Sequence, residues 1–351
     1  MPTISSGGPA IVRARAPLRL GFGGGGSDLS PYCDIYGGYV LNATIDMYAY
    51  AVLAPRDDGK VAFVAADQGT SVETDAGATL PLDGTLDLHK GVYQRIVGEH
   101  CAGQAPAVTL TTWSDAPPGS GLGSSSTLVV AMVKAFVEWL SLPLGEYDVA
   151  HLAYEIERQD VGLAGGRQDQ YAATFGGVNF MEFYAGDRVV VNPLRIKNWV
   201  LSELEASTIL CFTGQSRASA TIIDEQVRNL SLSGSDAVES MHRVKHEALH
   251  MKESLLRGDF RQFVDAINAS WLSKKQTAHS ISNERLEALA TAGFDAGAQA
   301  VKVSGAGGGG FMMFFADPTR RMAVIRALRA LGTETLTCHF TKHGTEGWKI
   351  Y

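Results

Sequence analysis

At 351 residues the chain has room for roughly two domains of ~150 residues, or one large α/β unit. Its composition, 45% hydrophobic and 19% charged with 9% aromatic, excludes a disordered, collagen-like or low-complexity chain. Thirty basic residues against 37 acidic ones leave a formal charge of −7, which speaks against a nucleic-acid or anionic-membrane binder.

The first segment, VRARAPLRLGF, alternates in part and is bounded by Pro17 and a glycine run, which predicts short strands about a bend. Residues 39–55, 61–66 and 107–113 carry the β-branched and aromatic residues of strands, with a helix over 88–100 between the last two. The serines that open SSSTLVVAMVKAFVEWL (124–140) are expected to supply cap oxygens to a helix with a long apolar face, and Pro143 and Gly145 end it. A further helix is predicted over 146–159. RVVVNPL and STILCFTG bracket a domain boundary near residue 200, dividing the chain into 1–200 and 201–351. Helices over 236–256, 259–274 and 283–297 follow, then strands VKVSG and GGFMMFFA, a helix over 319–331 and a final strand in TLTCHFTKHG. This order predicts an α+β fold, with strands leading the first half and helices the second.

The longest apolar run, Met47 to Ala54, falls far short of the ~20 residues that cross a bilayer, and the N-terminus lacks a secretory pattern. A cytoplasmic protein is expected, with no membrane partner and no nucleic acid. The four cysteines show no CxxC spacing and are read as reduced thiols.

The chain holds 39 glycines, about one residue in nine against a usual ~7%. They gather at 21–26, 119–123, 162–166 and 305–310, and such clusters mark places where backbone bends tightly or approaches a ligand closely. The sharpest is PPGSGLGSSST (117–127), directly before the strongest helix. Its glycines turn backbone N–H groups inward, the helix N-terminus adds unpaired donors, and serines add hydroxyls, which is chemistry for a polyphosphate. The loop lacks the lysine of a Walker A motif. GAGGGG (305–310) satisfies a dinucleotide fingerprint in form only, since a strand follows it and not a helix. A glycine hairpin closing over a ligand, with Lys302 and Ser304 beside it, fits better. Among nearby acids, Glu157 suits Mg²⁺, which prefers hard oxygens, and Asp169 sits between glycine-rich bends where it can act as base or positioner for a hydroxyl. His242, His246 and His250 line one helix face, but without the HExxH pattern they read as a solvated or partner-facing stripe. No GxSxG hydrolase elbow is present.

RAPLRLGFGGGGSDLSPYCDIYGGYVLNATI (15–45), PPGSGLGSSST, GGRQDQYAATFGG (165–177) and KVSGAGGGGF (302–311) stand in the order of the three motifs of the GHMP small-molecule kinases, which this chain resembles over residues 12 to 315. The resemblance implies a two-domain α+β fold. Its N-terminal domain would hold a left-handed βαβ crossover, against the usual right-handed rule, and its C-terminal domain would be ferredoxin-like. It implies ATP as co-substrate, bound by Pro118, Gly119, Ser120, Gly121, Leu122, Gly123, Ser124, Ser125 and Ser126, and Mg²⁺ held by Ser125 and Glu157. Asp169 matches the catalytic aspartate. Arg19 falls where some members carry a catalytic lysine, and arginine there is expected to orient Asp169 or to balance phosphoryl charge.

Asp28 matches the acid that holds sugar hydroxyls in the sugar-kinase branch, with Gly25, Gly26 and Ser27 beside it. Glycines replace the glutamate-histidine pair usual at that place, which opens space for a seven-carbon sugar. Together with WLSKK (271–275), this first segment most resembles the branch that phosphorylates the anomeric hydroxyl of D-glycero-D-manno-heptose 7-phosphate. Arg167, Gly305, Gly307 and Lys302 complete the implied substrate set, and Arg167, Arg217, Lys274, Lys275 and Lys302 form the pool of cations for the sugar's own phosphate. The partners are thus a sugar phosphate and ATP, and a homodimer is compatible with the sequence. Three other readings stay open: another sugar 1-kinase of the fucokinase kind, a non-catalytic sugar and ATP sensor, and a decarboxylase of a phosphorylated isoprenoid precursor.

Overall fold

The computed structural model describes residues 10–215, 219–231 and 235–350. In chain order its first half contains β1 (Ile11–Gly23), α1 (Tyr32–Tyr36), β2 (Gly38–Pro55), β3 (Lys60–Ala65), β4 (Thr70–Asp75), α2 (Asp87–His100), β5 (Val108–Ser114), α3 (Ser124–Leu140), α4 (Glu146–Glu155), α5 (Gln168–Phe175), β6 (Val178–Phe183) and β7 (Val189–Pro193). The second half contains α6 (Asn198–Ser207), β8 (Thr208–Phe212), α7 (Ser219–Leu230), α8 (Asp236–Arg257), α9 (Phe260–Lys275), α10 (Glu284–Asp295), β9 (Ala298–Val303), β10 (Phe311–Ala316), α11 (Arg321–Ala330), β11 (Glu334–Leu336) and β12 (Glu346–Ile350).

The long antiparallel pair β1–β2 organises the first sheet, whose order is β12-β1-β2-β5-β3-β4, with β6 pairing the early half of β2 and β7 pairing β6. Strand β1 alternates in its first half, so Val12, Ala14 and Ala16 pack with Val129, Val133 and Phe136 of α3 in one core. The pairing then shifts register between Pro17 and Arg19, where proline offers no N–H to the ladder. Beyond this bend Leu18, Leu20 and Phe22 join a second core with Met251 of α8 and Phe263 of α9. Arg19 therefore sits buried where the two cores meet.

Strands β3 and β5 are parallel, and the crossover between them carries β4 and α2. The second sheet is antiparallel in the order β11-β8-β10-β9, and helices α7 to α10 fill the connection from β8 to β9. This is the βαββαβ order of a ferredoxin-like unit with an enlarged first crossover.

Three expectations need correction. The helix predicted over 146–159 is α-helical only to Glu155, and Ile156–Asp160 form a π-helical turn, whose extra residue per turn carries Glu157 inward to full burial. TLTCHFTKHG is strand only at its start; the chain then crosses back, Phe340 bridges Ile45, and β12 pairs β1. Helices α1, α5, α6 and α7 appear where no helix was expected. No described helix is long and apolar enough to cross a membrane.

Candidate active site

One cleft collects the glycine loops. Gly119, Gly121 and Gly123 all adopt positive φ, between +72° and +78°, a region that only glycine enters freely. A Cβ on Gly121 would stand 2.5 Å from the Ser304 carbonyl, so this loop packs backbone to backbone against the loop joining β9 to β10. That second loop is the expected hairpin, tied down by Phe311 N–H donating to Ser120 O at 2.8 Å and Gly310 N–H to Gln215 O at 2.7 Å. Because Gly310 has φ +79° and its Cβ would lie 2.3 Å from Ser120 O, Gly310→Ala is expected to push the two loops apart. We expect a loss of about 1–3 kcal/mol of stability and weaker nucleotide binding, read by thermal unfolding and equilibrium titration. Unchanged values would contradict this packing.

Helix α3 begins at Gly123 with no side-chain cap, so its first N–H groups are open to an anionic ligand. This corrects the expectation that its serines cap it. Ser125 Oγ donates instead to Glu157 Oε1 at 2.8 Å, and Ser126 Oγ accepts from Arg158 and from Gln170, each at 3.2 Å. Pro118, Gly119, Gly121, Gly123, Ser124, Ser125 and Ser126 line the cleft. Ser120 and Leu122 do not line it, since both are wholly buried, Leu122 with its carbonyl accepting from Arg19 N–H at 3.1 Å.

Directly against this loop, Arg19 grips Asp169 with both edges of its guanidinium, Nε to Oδ1 at 2.7 Å and Nη2 to Oδ2 at 3.0 Å. Its Nη1 donates to Gly121 O at 2.6 Å, so one arginine joins the acid to the phosphate loop. Asp169 is flanked by two glutamines the sequence reading missed. Neighbouring residues on a helix point in different directions. Gln168 accordingly reaches Asp28 and Gln170 reaches Glu157 Oε2 at 2.7 Å, while Asp169 faces the cleft. The signal available in sequence was QDQ at the first turn after a Gly-Gly-Arg bend.

Asp28 lines the cleft, but not as a free sugar acceptor. Its Oδ1 accepts from Gly26 N–H and Gln168 Nε2, and its Oδ2 from the N–H groups of Arg167 and Gln168, at 3.0–3.2 Å. These four bonds use the roughly four acceptor positions of a carboxylate and tie the first glycine loop to the start of α5. Asp28→Asn is expected to place an NH₂ against those donors and lower stability by about 2–4 kcal/mol, visible as a fall in Tm. An unchanged Tm with a raised KM for the sugar alone would restore Asp28 as a sugar ligand.

Four other expected substrate residues point elsewhere. Lys302 is buried and donates to Gly21 O and Phe22 O at 2.9 and 2.7 Å, which fastens β9 to the end of β1 and keeps it out of the cleft. The Arg167 guanidinium is held by Tyr184 O, Ser30 Oγ, Asp34 and Asp187, and Arg167 does not line the cleft. Ser27 Oγ is engaged with the backbone of Tyr39, and Gly307 packs on Ile281. Gly25, Gly26 and Gly305 do line the cleft. The space that Gly25 leaves is flanked by Gln168 and Lys274, whereas the place of a side chain at 26 is filled by Met241 of α8. Within the cation pool, Lys275 pairs with Glu287 at 3.0 Å outside the cleft, Arg217 lies outside the described residues, and Lys274 lines it.

Glu157 and Ser125 fit a magnesium ion. They offer one carboxylate and one hydroxyl at the head of α3, with the buried Gln170 Oε1 unpartnered among the described residues beside them. Mg²⁺ commonly takes one or two protein oxygens and completes its shell with substrate phosphates and water. Among the described residues no three His, Cys, Asp or Glu side chains form an all-protein metal site. In the histidine stripe, His242 bonds Tyr32 Oη at 2.6 Å while His246 and His250 are exposed.

An uncapped helix behind a glycine loop, facing an acid clamped by arginine, defines a phosphate-handling site of the phosphotransferase class. Comparison with known proteins agrees: residues 87–177 match the GHMP kinases N-terminal domain and 251–334 the GHMP kinases C-terminal model. A D-glycero-alpha-D-manno-heptose 7-phosphate kinase of Campylobacter jejuni is 50% identical over 97% of this chain and 99% of its own. The Arabidopsis thaliana bifunctional fucokinase/GDP-fucose pyrophosphorylase is 26% identical over 91% of this chain and 31% of its own length. Among solved structures, a D-glycero-D-manno-heptose 1-phosphate kinase from Bacteroides thetaiotaomicron superposes with TM-score 0.82 and 45% identity, over 97% of this chain and 99% of that one. The chain belongs to the GHMP kinase family, and it is an ATP-dependent sugar kinase.

Proposed function

We propose that this enzyme transfers the γ-phosphoryl group of ATP to the anomeric hydroxyl of D-glycero-D-manno-heptose 7-phosphate, giving the 1,7-bisphosphate. The heptose reading rests on the relative that shares half its residues over nearly the full chain. The reaction reading rests on one observation, the bidentate Arg19–Asp169 pair set directly beside the open N-terminus of α3, where a Cβ on Gly123 would stand 3.1 Å from the Asp169 carboxylate. In this account residues 118–126 cradle the triphosphate. Asp169 accepts or positions the proton of the attacking hydroxyl, and Arg19 holds Asp169 in place and offsets charge beside Gly121. Ser125 and Glu157 hold Mg²⁺, which when bound neutralises phosphate charge. Within the chain we place the nucleotide domain before residue ~200 and the second domain after it, with β12 returning to the first sheet.

The test is ADP release with Mg²⁺ across a panel of heptose 7-phosphate, heptose, fucose, galactose and mevalonate. Turnover confined to the heptose phosphate is expected. Turnover of fucose instead would move the acceptor to the fucokinase reading, and binding of ATP without turnover of any would move the protein to the sensor reading.

A further inference from the structure

One buried cation beside the reacting groups has donors to spare. Lys274, at the end of α9, lines the cleft though it is only 4% exposed. Its ammonium has three donors, and its one hydrogen bond to a described residue goes to Gly305 O at 2.6 Å. The other cations of the cleft are committed: Arg19 to Asp169 and Gly121, and Arg158 to Glu157, Ser126 and the carbonyls of Leu163 and Gly166.

The charged groups that face Lys274 are Arg19 from β1, Asp28 from the loop after it, Asp169 from α5 and Lys302 from β9. Neither carboxylate pairs with it, since Asp169 is gripped by Arg19 and Asp28 is saturated by amide donors. A buried ammonium without a counter-ion is costly. Burial accordingly brings its pKa down to about 8. Two of the three Lys274 donors have no partner among the described residues, and an arriving anion in the cleft would satisfy them.

Position says which anion. Gly305, which holds Lys274, packs directly on Gly121 of the phosphate loop, and Gly121 O accepts from Arg19. Lys274 and Arg19 thus stand on either side of the contact between the two glycine loops, next to Asp169. We propose that Lys274 is a catalytic residue of the phosphoryl transfer proposed above, its ammonium bonding the equatorial oxygens of the phosphoryl group in transit. In that step the bond from the γ-phosphorus to the β-phosphate oxygen breaks, the bond to the acceptor oxygen forms, and the hydroxyl proton passes to Asp169. Lys274 gives up no proton. The proposal rests on the kinase reading.

The experiment compares wild type, K274M and K274R by steady-state kinetics across pH, with ATP affinity measured directly. K274M is expected to lower kcat by at least about 10²-fold, the usual loss on removing a transition-state donor, with ATP affinity unchanged. Wild-type kcat/KM, which reports the free enzyme, should fall as pH rises through about 8 and the ammonium is lost. K274R keeps its charge at that pH and should lose this alkaline limb. An unchanged kcat in K274M, with a raised KM only for the phosphorylated sugar, would put Lys274 on the sugar's own phosphate and overturn the proposal. If K274M fails to fold, K274R decides, since an alkaline limb that persists there overturns it as well. Wild-type enzyme that binds ATP but phosphorylates no sugar would overturn the kinase reading itself, and this role with it.

Discussion

Asp169→Asn is expected to lower turnover by about 10³-fold, within the 10²–10⁴ range of a positioned proton acceptor. The substitution keeps the shape but replaces one carboxylate oxygen with an NH₂ that faces the Arg19 donors, now 2.7 and 3.0 Å from the two oxygens. Arg19 is 3% exposed and would be left as a buried cation without a counter-charge, its remaining acceptors the one amide oxygen, the carbonyl of Gly121 and Ser304 Oγ. The side chain of Asp169 is 19% exposed, so we expect the stability loss to stay near 1–3 kcal/mol, below that of a fully buried broken pair. ATP binding should be spared, because the phosphate loop and the start of α3 bind phosphate through backbone N–H groups that the substitution leaves in place. Turnover from ADP release, ATP affinity from equilibrium titration and Tm separate these effects, and near-normal turnover would remove Asp169 from the mechanism in either role.

Glu157→Gln carries the second large effect. Glu157 is wholly buried and receives hydrogen bonds from Ser125 and Gln170, with Arg158 at 3.2 Å. Glutamine fills the same volume but lacks the negative charge. The Mg²⁺ concentration for half-maximal rate is expected to rise by at least 10–100-fold, the loss that follows even from removing an outer-shell partner of a metal. Nucleotide binding without metal should not change, because the loop and the start of α3 bind phosphate through backbone N–H groups. An unaltered Mg²⁺ titration would show that Glu157 serves the fold alone.

Much of this was legible from local pattern. The glycine loop before α3 and the hairpin between β9 and β10 follow from backbone needs that only glycine meets, and β1, β2 and α3 follow from alternation and a helical apolar face. What escaped depends on contacts between distant segments. Nothing in GGGGSD shows that Asp28 is saturated by the start of α5, 139 and 140 residues away. Lys302 and Lys274 both stand in the pool of candidate cations, yet one turns to the carbonyls of Gly21 and Phe22 and the other to the cleft. Glu157 is turned inward by a π-helical turn that helical periodicity does not encode. The return of β12 to β1 pairs segments more than 330 residues apart.

The central claim is a transfer to the anomeric oxygen of a sugar already phosphorylated at its far end, and phosphorus NMR of the reaction with ATP, Mg²⁺ and heptose 7-phosphate tests it most directly. A second sugar phosphate signal coupled to the anomeric proton, growing in step with ADP while the 7-phosphate signal persists, is the predicted result. ADP formed with only inorganic phosphate beside it, or a new phosphate coupled to any other sugar proton, would contradict it.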